Sequence, residues 1–516
     1  MCITMSRSHS EVKFEVFRLL LCMLFILFIA RPTLAMDEQG DVIFSPKLQK
    51  AYFEIQKLRL PAARELIDDE RAGNPDNPFI SYLGSYADLH YLLIAEDRAR
   101  YKVFTQQQDR RLDRVGRLSE KSPYKRLFQA DIRLHSAFAK LKFGNEVSGS
   151  WEIIKAYRLL EDNRKKFPAF TPTLKSLGLL HVLIGSIPEN YTWIVKVLGL
   201  RGNISQGIRE LRAVVKEEPF FKQEAELIDL LLHAYTLQLS AEQQARIRQW
   251  PKEQPDNLLL YFFATTVLMK ENRSEEASHF LSDAPTGKEY MPFPFLYYLR
   301  GEIALQNGDY DESFASYSRF LKQYAGFNYI KDSYFKMFMC RWLAGRDQEA
   351  TGYMQKVTQT GSTIVEADQF AERIAQEFAE GKISPRQKVL YKARYATDGG
   401  YFQKAWELMK TVSEKIFATT YEKAEFNYRM ARILQKSGRL NECVPFYDRS
   451  IALGQADAAA GGFAASSALQ MGYLYQKRTD NQKAAMYFKK AMGFKKHEYK
   501  NSIDNKARAA LTELGQ

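Results

Sequence analysis

Apolar positions along the chain recur three and four residues apart over long stretches, the spacing of one buried helix face. No Asn-Gly or Asp-Gly turn separates alternating apolar runs, so strand signals are nearly absent. The clearest stretch is FLYYLRGEIALQNGDYDESFASYSRFLKQY, residues 295–324. It predicts a first helix carrying Gly301 and Ala304, a turn at Gly308-Asp309-Tyr310, and a second helix carrying Ser313, Tyr317 and Phe320. The same order returns in SALQMGYLYQKRTDNQKAAMYFKKAM, with Gly472, Tyr475, Ala484, Phe488 and Ala491 in matching places. Weaker copies read KENRSEEASHFL, WLAGRDQEATGYM, TDGGYFQKAWELM and QKSGRLNECVPFY. Their second helices are marked by Ala277, Ser313, Ala350, Ala405, Cys443 and Ala484, at steps of 36, 37, 55, 38 and 41 residues. The long step predicts an insertion or a degenerate turn near 362–384. In each pair a small residue lets two backbones approach, aromatics fill the gap to the next pair, and a glycine supplies a left-handed turn. One pair cannot bury its apolar face alone, so neighbours stack and the stack curves. The predicted fold is all-α, a right-handed superhelical array of antiparallel helix pairs whose first helices line an inner groove.

The N-terminal half is less regular. Residues 45–70 read as one such pair, with Ala51 and Ala63 at the right separation. Asn74-Pro75 and Asn77-Pro78 punctuate the chain before a helix at 79–94, and further helices are predicted at 124–143 and 149–166. An apolar hairpin follows, LKSLGLLHVLIGSI (174–187) and YTWIVKVLGL (191–200), broken by Pro188-Glu189-Asn190. Lys175, His181 and Lys196 interrupt it, and no stretch reaches the roughly 18 uninterrupted apolar residues of a membrane span. Two readings stand: a buried hairpin at the core of the N-terminal domain, and a membrane-contacting or lipid-binding surface at 184–200. At the extreme N-terminus, Arg7, Lys13 and Arg18 precede the apolar run Leu19–Ala30, and Thr33 and Ala35 form a cleavage site. That is the pattern of a signal peptide, 1–35, removed on export, with an uncleaved membrane anchor as the alternative. The organisation expected is therefore a signal at 1–35, an N-terminal helical domain with degenerate repeats at 36–245, and a C-terminal superhelix at 246–516. Export places the protein in the periplasm.

The pattern of small residue, aromatic, Gly turn, Ala, aromatic and Ala resembles the tetratricopeptide repeat. The hairpin resembles a second, narrower family. Gly178, Leu183, Pro188, Leu198, Gly199, Gly202, Gly207 and Leu211 match the tetratricopeptide repeat protein 39 family, whose fungal relatives are the inclusion body clearance proteins. The chain departs from that family at Asn203-Ile204, where the family carries an acidic-basic pair, and in its export signal. The resemblance implies a helical adaptor without chemistry of its own.

Composition changes this picture little. Hydrophobic residues make up 46% of the chain and charged residues 26%, which suits a folded protein. The formal net charge of +13 favours acidic partners, with anionic membrane surfaces as a second class, and export argues against nucleic acid. The Lys-rich C-terminal tail reads as a polar cap on the array. Cys340 and Cys443 are expected as buried thiols. His90, His135, His181, His233, His279 and His497 form no metal-spaced pair, and no nucleophile elbow, phosphate loop or dinucleotide motif is present, so no catalytic residue, metal or cofactor is expected. The groove is the candidate for function. Residues three before, one after and four after each first-helix small residue face inward. They include Tyr298, Glu302, Phe335, Trp342, Tyr428, Arg432, Tyr473 and Gln476, the aromatic, amide and Arg mixture of a surface that reads a protein or peptide partner. Half of such positions pack against neighbouring helices by default.

Overall fold

The computed structural model describes residues 42–187, 197–495, 497 and 500–515. Among the described residues there are 24 α-helices and no strand. The predicted signal peptide, 1–35, and the second arm of the hairpin up to Lys196 lie outside them.

The C-terminal pairs run Leu258–Lys270 with Ser274–Asp283, Phe295–Asn307 with Tyr310–Gln323, and Ile330–Leu343 with Asp347–Gln359. They continue as Lys388–Gly399 with Phe402–Met409, Thr420–Lys436 with Cys443–Ala456, and Gly461–Lys477 with Asn481–Gly493. A last helix, Lys500–Glu513, closes the array. The long step is an insertion: the extra helix Glu366–Ala379 packs on Ile330–Leu343 and occupies the predicted gap. Cys340 and Cys443 are both buried free thiols, and burial pushes the Cys443 thiol up to about 11.

The turns follow the sequence rule. Gly308, Gly345, Gly400 and Gly438 all have φ between 78° and 87°. At two turns where the repeat lacks a glycine the backbone takes the same left-handed shape, with Asn272 and Thr479 at φ 59°. A β-branched side chain is poorly tolerated there. Thr479 is exposed, so Thr479→Gly should raise the unfolding free energy by about 1 kcal/mol, read as a higher urea midpoint at unchanged slope.

The array winds tightly enough for turns distant in sequence to touch. Asn272 Nδ2 donates to Asp398 O at 2.8 Å, and Lys436 Nζ donates to Asn272 Oδ1 at 2.8 Å. A Cβ on Gly400 would stand 1.9 Å from Asn272 O. Farther back, Glu96 accepts from the backbone N–H groups of Phe327 and Asn328 at 3.2 and 2.9 Å, and pairs with Lys142. A continuous apolar core runs from Leu48 to Tyr395, and two further clusters carry the packing to Leu511.

In the N-terminal half the helices Pro46–Gln56, Leu60–Gly73, Pro78–Ala95, Pro123–Lys142 and Glu146–Lys166 stand where the sequence placed them, within a few residues. The helix Arg98–Gly116 was not anticipated. The first hairpin arm, Thr173–Gly185, is buried from Thr173 to Ile184. This arm fills the core, as the first of the two readings expects, while residues 188–196 of the segment in the lipid-binding reading lie outside the described residues. Its polar interruptions are satisfied inside. Lys175 Nζ meets Glu224 at 2.9 Å and Asp131 at 3.2 Å, Ser176 donates to Asp131 at 2.5 Å, and the Tyr52 hydroxyl donates to Glu224. His181 Nδ1 lies 2.6 Å from Glu210 Oε2. No helix among the described residues is long and apolar enough to cross a membrane.

Candidate protein-binding face

The structure divides the predicted inward residues of the first helices into two groups. Tyr298, Phe335, Trp342 and Tyr428 are buried. The Tyr298 hydroxyl donates to Asp332 Oδ2 at 2.6 Å, and its ring stacks on Phe295 at 4.8 Å. Phe335 lies under the inserted helix, edge-on to Phe370. Trp342 is stacked on Phe338, met edge-on by Tyr391 and roofed by the Lys388 ammonium. Tyr428 packs against Phe463 and Tyr447. These rings form the wall behind the face.

The polar members are half-buried and linked across helices. Arg432 Nη1 donates to Gln435 Oε1 and to Gln470 Oε1, both at 2.7 Å, and the Tyr447 hydroxyl donates to the same Gln435 oxygen. Gln476 Nε2 donates to Glu513 Oε2 at 3.2 Å on the closing helix. Tyr473 stands edge-on to Phe488, and burial with the nearby Glu513 charge pushes its hydroxyl up to about 12. Glu302 accepts from Lys336 and from the Tyr317 hydroxyl. Arg432, Tyr473 and Gln476 thus fall on one continuous stretch, from Thr420–Lys436 through Gly461–Lys477 to the closing helix. Glu302 belongs to a separate cluster around Lys336, Asp332 and Arg394.

That cluster was not anticipated. Asp332 is buried, and burial, opposed by Lys336, raises its carboxyl to about 6. Asp398, half-buried beside Arg394, is likewise raised to about 6 by its removal from water. At the other end Lys506 is buried next to Arg432 and Lys270, and burial and those charges hold its ammonium down to about 8. Carboxylates and cations thus alternate along the first helices, with Asp398 within electrostatic reach of both Arg394 and Arg432. The signal in the sequence was the density of charged residues on first helices, where a simple core helix carries apolar ones. Among the described residues no group of three His, Cys, Asp or Glu is placed to hold a metal ion.

Residues 296–325 match the family model of the tetratricopeptide repeat. No curated protein matches the chain. Among solved structures, the chain is similar to one of Naa15/Naa10 bound to HypK-THB, at 12% identity and a TM-score of 0.25. That match covers 90% of this chain and 65% of the other, so the chain spans less than two thirds of that protein's length. It is similar to the tetratricopeptide domain of P58(IPK) at 13% identity, covering 91% of this chain and 98% of that one, TM-score 0.20. It is also similar to yeast Tom70 at 13% identity, covering 90% and 88%, TM-score 0.22. The chain thus contains a tetratricopeptide repeat at 296–325, set in an all-helical array of pairs of the same design.

Proposed function

We propose that the protein is an exported, periplasmic scaffold that holds a protein partner by binding alone, without catalysis, on the inner face of its C-terminal superhelix. The observation that carries this reading is the linked polar row Arg432–Gln435–Gln470, continued by Tyr473 and Gln476. These side chains are half-exposed and fixed in direction by hydrogen bonds to neutral amides. A guanidinium oriented by amide oxygens keeps its charge for a partner, so an acidic segment suits it. The buried rings of Tyr298, Phe335, Trp342 and Tyr428 support the first helices, and Glu302 is paired with Lys336. In this reading residues 36–245 form the N-terminal domain and 246–516 the binding superhelix. Export rests on the apolar run Leu19–Ala30 and the small residues ending at Ala35. Kinship with the tetratricopeptide repeat protein 39 family rests on Gly178, Gly202 and Gly207.

The test is comparative capture. The full chain and an Arg432→Glu, Tyr473→Ala, Gln476→Ala variant with the same melting temperature are immobilised and offered detergent-solubilised envelope proteins. The reading predicts a partner whose recovery falls at least about tenfold on the variant, the effect of losing one charge-assisted contact and its aromatic neighbour. Equal recovery on both removes the inner face from the function.

A further inference from the structure

A second surface lies at the other end of the chain and does not depend on the inner face. The helices Leu60–Gly73, Pro78–Ala95 and Arg98–Gly116 enclose a cleft of about 200 Å³. Four arginines line it, Arg64, Arg71, Arg100 and Arg111, against two carboxylates, Asp68 and Asp88. Asp88 sits between two of the guanidinium groups, 2.9 Å from Arg64 Nη2 and 2.5 Å from Arg111 Nη2. Arg111 is fixed further by Gln108 and Gln107 at 2.9 and 3.1 Å. One carboxylate cannot use the ten N–H donors of two guanidinium groups, so donors remain for a second anion. Arg71 pairs with the exposed Asp68 at the rim.

Arg100 is the telling residue. It stands in the first turn of Arg98–Gly116, where the N-cap Asp97 carboxylate accepts from the Arg100 backbone N–H at 3.0 Å and a cationic side chain adds nothing to the helix dipole. It is exposed, and its guanidinium makes no hydrogen bond or ion pair among the described residues. Arg98 in the same turn has a structural reason, lying 4.1 Å over the Phe327 ring. Arg100 lies over no ring among the described residues; its charge faces the cleft, within electrostatic reach of Tyr91 on the opposite helix. One turn on, Val103 is 42% exposed on the same rim.

We propose that this cleft binds an acidic segment of a partner protein, in which carboxylates alternate with apolar side chains. The carboxylates reach Arg100 and Arg71, and an apolar neighbour covers Val103. The resident Asp88, held by Arg64 and Arg111, shows that arginines of this cleft clasp a carboxylate.

The probe is a fluorescein-labelled peptide alternating Glu and Leu, titrated with the full chain and read by anisotropy. Saturable binding is expected, weakening as salt is raised. Arg71→Glu with Arg100→Glu should weaken it by more than about tenfold. Both sites are exposed, and the gain from a Glu at the start of Arg98–Gly116 offsets the loss of the Arg71–Asp68 pair at the end of Leu60–Gly73, so the variant should melt within a few degrees of the native chain. A control with the same change of net charge elsewhere, Lys222→Glu with Lys322→Glu, should bind within about twofold of native. Three results overturn the proposal: no saturable binding, equal binding of a Gln-Leu peptide, or a loss in the arginine variant no larger than in the control.

Discussion

Lys175→Met should lower the unfolding free energy by about 3–5 kcal/mol, the range for removing one partner of a buried ion pair. Lys175 has no exposed surface, and neither has Glu224, 2.9 Å away. Asp131, 3.2 Å on the other side, is 1% exposed. Burial alone pulls the ammonium down, and the carboxylates of Asp131 and Glu224 more than reverse it, so it stays charged. Methionine fills the volume and leaves two carboxylates facing each other in the interior. Burial already pushes Glu224 up against the pull of Lys175, and without the lysine it rises further. Between the unfolded carboxylate value and that raised one, the folded variant binds more protons than the unfolded chain. Its stability therefore falls as pH rises through that window. Urea titrations should show a smaller deficit near about pH 5 than near about pH 8. Adding Glu224→Gln to Lys175→Met should recover part of the loss, because it removes one stranded charge.

The second large effect is at Gly207. A Cβ there would lie 2.4 Å from Gly178 O and 2.9 Å from Val182 N. Gly178 is the reciprocal case, its Cβ 2.8 Å from Gly207 O. Thr173–Gly185 and Ile204–Glu217 thus cross with backbone against backbone, and no rotamer change relieves the contact. Gly207→Ala should destabilise by about 3 kcal/mol, at the upper end for overpacking, despite alanine's better helix propensity. Thermal unfolding followed by circular dichroism measures it. Gly352→Ala, also within a helix but with nothing near its Cβ, is the control and should be neutral or stabilising.

Much of this architecture was legible in the chain. Glycine turns at fixed spacing located four left-handed caps, and the irregular step located the inserted helix, because both are local consequences of helix pairing. Gly178 and Gly207 were conspicuous in sequence, but their reason is a crossing that only the folded chain displays. Helical periodicity fixes which first-helix residues share a face. It does not fix which of them stay open. Phe335 is covered by Phe370 from the inserted helix, and Trp342 by Tyr391 from the pair beyond it. Which later helix lies on an inner face depends on how tightly the stack winds, a sum of small rotations that no single repeat encodes. The arginine cleft shows the same limit. The run RARYKVFTQQQDRRLDR announces a basic helix, but the cleft needs Arg64 and Arg71 from another helix and Asp88 between them. Lys175 and His181 break the apolar hairpin in sequence, and in the fold they find Asp131, Glu224 and Glu210 on three other helices.

The central claim is that the inner face, and not the outer one, meets a partner. The most direct measurement places a photo-crosslinking amino acid at Tyr473 in one version of the chain, and at the exposed outer residue Lys322 in another, with irradiation in intact cells. The account predicts a discrete protein adduct from position 473 and none from 322. An adduct from 322 with none from 473 would contradict it and move the binding surface to the outside of the array.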